Sequence, residues 1–324
     1  MRIVDVCAFY STRGGGVKTY IRQKLSIGRQ LGHDVTVLAP GDRYAVEEVG
    51  PDARIVTLPS PRFPLDRNYW YFADEPALHR ELDRLEPDFV EVSSPWRSPV
   101  MVKRWKADVP RSLILHADPL SAYAYRWLQR FLSPAQVDRR LQRYWNHLRD
   151  LGGAFDRVVC ASADLGRRMA AGGVPNVTVC PMGVEPELFD GTNRDEALRR
   201  DLLARCALGR DAHLLVGVGR LAPEKRWPMI IEAVTAAGTE APIALAMFGE
   251  GRERHAILRA IAGNPHIRLF EPVTDRLSFA RLLASADALV HGCEAETFCM
   301  VAAEARASQV PIIVPDRGGA ADHA

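Results

Sequence analysis

Two glutamates are separated by seven residues in the segment Glu296-Thr297-Phe298-Cys299-Met300-Val301-Ala302-Ala303-Glu304, which follows a strand-like apolar run. Glu304 lies in an alanine-rich stretch that favours a helix, so Glu296 is expected in the loop or first turn before it. Both carboxylates can then line one cleft. Ionised carboxylates only accept hydrogen bonds, which suits them to bind the hydroxyl groups of a sugar or a ribose.

A second polar loop, Gly219 to Lys225, follows the apolar run 213–218. Arg220 and Lys225 place two cations five residues apart in it. A guanidinium binds phosphate oxygens through a planar fork, and an ammonium adds a compact point charge. Because Gly219 and Pro223 shape the loop, we favour diphosphate binding over an ordinary charged surface loop.

Glycines occupy residues 14–16, between the first strand-like run and a helical pattern. Glycine lets a backbone approach a ligand closely, and the free amides at a helix start favour an anion. We therefore favour ligand contact at Gly15 and Gly16 over a simple tight turn. His116 and Gly249 each lie at the end of another strand-like run, and open α/β sheets bind their ligands at that edge.

Short β-branched runs alternate with longer amphipathic stretches, which predicts βα units and mostly parallel sheets. Strands are expected at 2–8, 34–39, 54–58, 89–92, 112–116, 157–161, 177–180, 213–218, 243–248, 267–270, 288–291 and 311–315. The segment from Pro181 to Phe189 breaks regular structure. We therefore expect two domains, residues 1–189 and 190–324.

Taken in this order, the motifs resemble the retaining glycosyltransferases of family 4, which have the GT-B fold. The matching patterns are G-R-L-x-x-x-K at 219–225, E-x7-E at 296–304 and the hinge P-x-G-[VI]-[DE]-x-x-x-F at 181–189. The resemblance implies two Rossmann-like domains with mostly parallel sheets that face each other across a cleft. The first would be on the acceptor side and the second would bind the donor. Because the chain ends near a G-G-x-x-[ED] loop, the second domain is expected to be incomplete.

The resemblance also implies roles for individual residues. The donor diphosphate would be bound by Arg220, Lys225, Gly15 and Gly16. The nucleotide and its ribose would be bound by Glu304, Gly219 and Gly249. His116 and Glu296 would be the catalytic residues beside the transferred sugar, and the backbone at Phe298 and Cys299 would face that sugar. Relatives carry glycine where Cys299 stands, so the thiol narrows the space beside the sugar.

The implied activity is transfer of a hexose from a nucleotide diphosphate sugar to an acceptor hydroxyl, with retention of the anomeric configuration. We expect no metal, and no cofactor besides the nucleotide sugar, which is a co-substrate. The acceptor would be a glycan, a lipid or a small glycoside. Two alternatives remain open, a sugar-nucleotide epimerase or hydrolase of the same fold and a non-catalytic sugar-nucleotide-binding protein. A nicotinamide oxidoreductase is disfavoured because the chain lacks G-x-G-x-x-G followed by an acid.

The composition is that of a globular protein with room for two domains, since 324 residues include 47% hydrophobic and 25% charged residues. The net charge of +2 argues against a nucleic-acid partner. The six cysteines include no C-x-x-C pair, which favours free thiols in a reducing compartment. Without an apolar run of about 18 residues, nothing is expected to span a membrane. We expect a cytoplasmic protein.

One segment, residues 120–150, interleaves aromatic residues with arginines. The aromatic residues are Tyr123, Tyr125, Trp127, Phe131, Tyr144 and Trp145. Basic aromatic helices can lie on an anionic membrane surface, or they can pack their rings inward and leave the arginines in water. We favour inward packing and keep peripheral membrane contact as the alternative.

Overall fold

The computed structural model describes residues 1–8, 10, 16–64, 69–128 and 130–324. It divides into two compact units, Met1–Pro181 and Met182–Ala324. The predicted division after residue 189 falls inside the second unit. Among the described residues, no helix is both long enough and apolar enough to cross a membrane.

The first unit is an α/β structure around one sheet. Its strands are β1 (Arg2–Cys7), β2 (Asp34–Gly41), β3 (Ala45–Gly50), β4 (Ala53–Pro59), β5 (Phe89–Ser93), β6 (Arg111–Leu115), β7 (Arg157–Cys160) and β8 (Val177–Val179). Its α-helices are α1 (Gly16–Gln30), α2 (Glu75–Leu85), α3 (Ser98–Arg104), α4 (Arg126–Leu128), α5 (Pro134–Arg140), α6 (Gln142–Gly152) and α7 (Ala163–Ala171). The strand order is β3-β4-β2-β1-β5-β6-β7-β8.

Strand β3 is the element of this sheet that the sequence analysis missed. It pairs antiparallel with β4, whereas the other pairs of the sheet are parallel. Its residues are largely exposed, and Glu47 and Glu48 occupy its middle. An edge strand with charged side chains lacks the apolar run by which buried strands are identified, and such charges protect a free edge from pairing with other chains.

The second unit repeats the βα alternation around a parallel sheet. Its strands are β9 (His213–Val218), β10 (Ile243–Phe248), β11 (Ile267–Phe270), β12 (Ala288–Val290) and β13 (Ile312–Ile313). Its α-helices are α8 (Glu196–Arg205), α9 (Trp227–Ala237), α10 (Arg254–Ile261), α11 (Arg276–Ala284) and α12 (Met300–Ala307). The strand order is β11-β10-β9-β12-β13, and every pair is parallel. Parallel sheets with helices on their faces confirm the predicted α/β class.

The basic aromatic segment 120–150 forms a π-helical turn at Leu120–Tyr125 followed by helices α4 to α6. Tyr125, Tyr144 and Trp145 pack against the core of the first unit, as the favoured interpretation expected. That interpretation is wrong for the other three rings, because Tyr123 is 52% exposed, Trp127 65% and Phe131 81%. Tyr123 lies in the π-helical turn, Trp127 in α4 and Phe131 in the turn that precedes α5.

Candidate functional site

An ion pair between Lys225 and Glu296 joins the two motifs that the sequence analysis placed first. Strands β9 and β12 are parallel neighbours, so the loops after them leave the same edge of the sheet. Lys225 closes the 3₁₀ turn Pro223–Lys225 in one loop, and its Nζ donates to Oε1 of Glu296 in the other. The Nε2 atom of His291 lies 3.1 Å from the same oxygen. The fold thus holds a cation and a carboxylate together at the edge where α/β sheets bind ligands.

Both members of this pair are charged. Burial raises the pKa of Glu296, but the Lys225 ammonium and His291 lower it more, so the net pKa lies well below its usual range. Burial lowers the pKa of Lys225, and the Glu296 carboxylate outweighs that effect and raises it above its usual range. A partly buried ammonium next to a fixed carboxylate is prepared to bind a second anion without reorganisation.

Glu296 and two side chains near it could hold a metal ion, because donor atoms of His291, Glu296 and Cys299 lie within 4.8 Å of one another. The Lys225 ammonium already contacts Glu296. A divalent ion would therefore meet a like charge at its carboxylate ligand, which disfavours occupancy. The expectation that no metal is needed stays a prediction.

Arg220 lies in the same loop as Lys225 but in different surroundings. Its side chain is 70% exposed, and its Nη2 atom donates to Oε1 of Glu224 at 3.0 Å. The indole Nε1 of Trp227 donates to the Arg220 carbonyl oxygen at 2.9 Å, so the backbone of the loop is tied to the start of α9. The guanidinium therefore extends from an anchored backbone into solvent, where it can turn toward a phosphate.

Two glycine loops at this edge touch backbone to backbone. The amide of Gly219 donates to the carbonyl of Phe248 at 3.1 Å, and the amide of Leu221 donates to the carbonyl of Glu250 at 2.8 Å. A Cβ atom on Gly249 would lie 2.0 Å from the carbonyl oxygen of Gly219. Gly249 thus shapes the predicted diphosphate loop through its lack of a side chain, and Gly219 does so through its positive φ of +154°.

Glu304 is buried in α12, where it faces a cation that the sequence analysis did not single out. The Arg276 Nη1 atom donates to Oε1 of Glu304 at 2.9 Å, and its Nη2 atom donates to Oε2 of Glu185 at 2.9 Å. The guanidinium also lies over the Phe189 ring, 4.7 Å from its centroid. Burial raises the pKa of Glu304 to about 7, although Arg276 acts in the opposite direction.

Phe298 and Cys299 are buried at the start of α12. Cys299 is the N-cap of this helix and has a φ of +71°, a left-handed conformation that favours glycine. This backbone geometry explains why glycine is expected there, and the cysteine adopts it at a cost in strain. The amides of Ala302 and Ala303 donate to the Cys299 carbonyl oxygen at 3.0 and 3.2 Å, so the amides that this helix start can offer a ligand are those of Met300 and Val301.

In the first unit, His116 directly follows β6. Its ring packs in an edge-to-face arrangement with Tyr20 of α1, with 4.9 Å between the ring centroids. Burial lowers the pKa of His116 to about 4, so the imidazole is neutral near pH 7. Gly16 is the exposed first residue of α1, whereas Gly15 lies outside the described residues. The ligand roles of these residues stay predictions.

Sequence reasoning missed Arg276 and His291. His291 comes directly after β12, and Arg276 opens the first helix after β11, so both belong to the same edge of the sheet as the predicted site. The rule that singled out His116, a polar residue at the carboxyl end of a strand, also applies to His291. It would have found His291 had it been applied to every strand, whereas Arg276 lies in the helix after β11, where that rule does not apply.

Comparison with known proteins agrees with this geometry. Residues 14–188 match the model of glycosyltransferase family 4, and residues 212–324 match that of the group 1 glycosyl transferases. A GDP-mannose-dependent α-mannosyltransferase of Mycobacterium tuberculosis is 28% identical over 99% of this chain and 81% of its own length. A GDP-mannose-dependent α-(1-6)-phosphatidylinositol dimannoside mannosyltransferase of the same species is 29% identical over 97% of this chain and 79% of its own length.

Among solved structures, sucrose-phosphate synthase of Thermosynechococcus elongatus superposes with a TM-score of 0.74 at 17% identity. The match covers 98% of this chain and 82% of the synthase. This likeness shows the GT-B fold, as the motifs predicted. The family match covers more than half of the chain. The chain therefore belongs to glycosyltransferase family 4.

Proposed function

We propose that this glycosyltransferase moves mannose from GDP-mannose to an acceptor hydroxyl with retention of the anomeric configuration. The choice of donor rests on the two mycobacterial relatives, whose names specify GDP-mannose. The observation that carries the proposal is the ion pair of Lys225 and Glu296. It combines a cation for the leaving diphosphate with a carboxylate for the sugar hydroxyls.

In this proposal the protein assists departure of the nucleotide by charge stabilisation. Lys225 and Arg220 neutralise negative charge that develops on the diphosphate as the glycosidic bond breaks, and fixed charges of this kind are often the largest catalytic contribution. Glu296 holds the sugar through its hydroxyl groups. The departing phosphate oxygen accepts the proton of the acceptor hydroxyl on the same face, so no protein nucleophile is required.

Glu304 is proposed to bind the ribose. Its carboxylate would accept a hydrogen bond from a ribose hydroxyl while Arg276 stays bonded to it, because each carboxylate offers about four acceptor positions. The Arg276 guanidinium would then lie beside the nucleoside with its face on the Phe189 ring.

We further propose that the acceptor is a lipid-linked glycan at a membrane surface and that the enzyme acts from the cytoplasmic side. The phosphatidylinositol dimannoside in the name of one relative supports a lipid acceptor. The exposed rings of Tyr123, Trp127 and Phe131 support peripheral contact, since aromatic rings partition into the membrane interface. Exposed arginines of the same segment suit anionic headgroups: Arg130, Arg139, Arg140 and Arg143.

Incubation of the purified chain with GDP-mannose, GDP-glucose or UDP-glucose tests this proposal, using vesicles that contain a mannosylated phosphatidylinositol. We expect mannose transfer from GDP-mannose and an α-linkage by the one-bond carbon–proton coupling of the product. Free mannose without transfer would indicate a hydrolase, and binding without turnover would indicate a sugar-nucleotide-binding protein. A preference for UDP-glucose would overturn the donor assignment.

A further inference from the structure

A cluster of three charged side chains lies beneath α1 in the first unit. Asp5 of β1 and Glu91 of β5 are in register on neighbouring strands, and Lys24 of α1 reaches both. The Lys24 Nζ atom lies 2.8 Å from Oδ2 of Asp5 and also donates to Oε1 of Glu91. We call these three residues the Lys24 cluster.

The Lys24 cluster is costly to bury. Burial raises the pKa of Asp5 to about 6, against the influence of Lys24. Burial also lowers the pKa of Lys24, and the two carboxylates outweigh this effect and raise it well above its usual value. Well-packed apolar residues in place of a buried ion group often keep or increase stability. A contribution to stability is therefore a weak reason for these three residues to be present. A role in positioning a neighbouring side chain is the better explanation.

Tyr20 connects the Lys24 cluster to His116. Its hydroxyl donates to Oε1 of Glu91 at 3.1 Å, and its ring meets the His116 imidazole edge-on at 4.9 Å and 61°. The Lys24 ammonium lies 5.5 Å from the centroid of the same ring. The cluster therefore holds the hydroxyl end of the Tyr20 side chain, while the ring packs against His116.

We propose that Tyr20 is a positioning residue, held by the Lys24 cluster, that fixes the His116 imidazole and shields it from water. A fixed, neutral imidazole has one nitrogen that accepts a hydrogen bond and one that donates, so it can orient a hydroxyl group of a bound sugar. This inference rests on the proposed function for the role of His116 in turnover. It does not rest on that function for the state of the imidazole itself.

The groups around His116 act in opposite directions. On the side of α1, Lys24 lowers the pKa of His116 and Tyr20 supplies apolar ring surface. On the side of the sheet, Glu91 raises this pKa, and Asp5 is the register partner of Glu91 on the neighbouring strand. Burial is the largest of these influences on the His116 pKa. Because the Tyr20 ring packs against the imidazole, its removal is expected to admit water.

The state of His116 is measured directly by histidine ring NMR across a pH titration, with the His116 signal assigned from its loss in His116→Ala. Wild-type protein should keep the imidazole neutral down to a pKa of about 4. In Tyr20→Leu the pKa should move toward the ordinary value of about 6.5. An unchanged pKa in Tyr20→Leu would overturn the proposal whatever the enzyme's activity. Tyr44→Leu removes an exposed tyrosine of the same unit and is the matched control.

Turnover supplies the second readout. Tyr20→Leu should lower kcat on the order of tenfold to a hundredfold, because small displacements of a substrate-orienting group have effects of this size. The KM for the donor should stay within about twofold. Tyr20→Phe keeps the ring but loses the bond to Glu91 that holds it, so it should fold and its kcat should lie between those of wild type and Tyr20→Leu. A Tyr20→Phe variant as slow as Tyr20→Leu would refute the role of the ring.

If Tyr20→Leu does not fold, the titration is carried out with Tyr20→Phe and Lys24→Arg. Loosening of the Tyr20 ring should then raise the His116 pKa in both variants, and identical titration curves in wild type and both variants would refute the proposal. If His116→Ala keeps wild-type turnover, the proposed role of His116 in catalysis fails. The NMR titration still decides whether Tyr20 controls the imidazole.

Discussion

Arg276 donates one hydrogen bond to the buried carboxylate of Glu304 and a second to Glu185, each at 2.9 Å. Glu185 lies in the hinge-like segment that the sequence analysis identified, whereas Glu304 is the predicted ribose ligand. One guanidinium thus ties the start of the second unit to α12. A change in protonation of Glu304 would alter both contacts of Arg276.

The first prediction concerns the pH dependence of stability. Glu304 has a folded-state pKa of about 7, above the value of about 4.5 expected in the unfolded chain. The folded protein therefore binds more protons between these values, and its free energy of unfolding falls as pH rises from about 4.5 to 7. The full effect corresponds to about 3 kcal/mol. Glu304→Gln removes this titration, so urea unfolding of both proteins across this pH range should show the wild type losing stability relative to the variant.

The sign of this effect makes the test specific. A wild type that gains stability relative to Glu304→Gln as pH rises would mean that Arg276 lowers the Glu304 pKa below its usual value, contrary to the prediction. Asp201→Asn, which changes an exposed carboxylate of the same unit, provides the control.

The second prediction separates the two cations of the diphosphate loop. Lys225→Met leaves the Glu296 carboxylate without its ammonium partner, which should lower the free energy of unfolding by roughly 3–5 kcal/mol. Arg220→Ala removes an exposed cation, so the melting temperature should hardly change. Both variants should weaken donor binding, and Arg220→Ala should do so by about 1.5–3 kcal/mol. Calorimetric titration with GDP-mannose and thermal unfolding measure the two quantities.

Unchanged donor affinity in both variants would remove this loop from the diphosphate site. A Lys225→Met protein as stable as Arg220→Ala would show that the ion pair with Glu296 does not contribute to folding.

The third prediction concerns His116. His116→Ala should lower kcat while the affinity for free nucleotide stays the same, which is the pattern of an interaction stronger in the transition state than in the ground state. Because the folded-state pKa of His116 is about 4, below the unfolded value of about 6.5, its contribution to stability is present above pH 6.5 and is lost as pH falls toward 4. Turnover and melting temperature are measured on one preparation. Wild-type kcat combined with a lower melting temperature would make His116 a structural residue.

The fourth prediction tests membrane contact. The double variant Trp127→Ser and Phe131→Ser should reduce co-sedimentation with vesicles rich in phosphatidylinositol. These two rings are the most exposed aromatic rings of segment 120–150. Leu258→Ser and Leu277→Ser replace exposed apolar residues of the second unit and serve as the control pair. Turnover of a water-soluble acceptor should be the same in wild type and variant. Equal sedimentation of all three proteins would exclude this face as the contact surface.

The sequence predicted the parallel strands well because each is an apolar run bounded by turn residues, and a buried parallel strand requires that pattern. Strand β3 was missed because it lacks such an apolar run, and a segment with exposed glutamates has the composition of a loop. The sequence placed Lys225 and Glu296 in loops that follow two strands, and the parallel pairing of β9 with β12 brings those loops to a common edge. The ion pair between the two side chains was not predicted.

The orientation of side chains within the polar segments was harder to predict. Tyr123 and Tyr125 are two residues apart with similar neighbours, yet one is exposed and the other packs on the core. The π-helical turn around them changes the residue spacing on which a helical pattern depends. The bond between Arg276 and Glu304 joins residues 28 apart in sequence, and no local pattern contains that information.

The backbone contact between the loops after β9 and β10 has a consequence for altering donor preference by directed evolution. A Cβ atom at residue 251 would lie 2.5 Å from the carbonyl oxygen of Leu221. This approach is too close for any side chain, as is the one at Gly249. Libraries that randomise Gly249 or Gly251 would therefore consist mostly of misfolded proteins, even though neither residue carries a functional group. Tolerated diversity is expected at exposed positions of the same loops such as Arg252, where a new side chain does not separate the two loops.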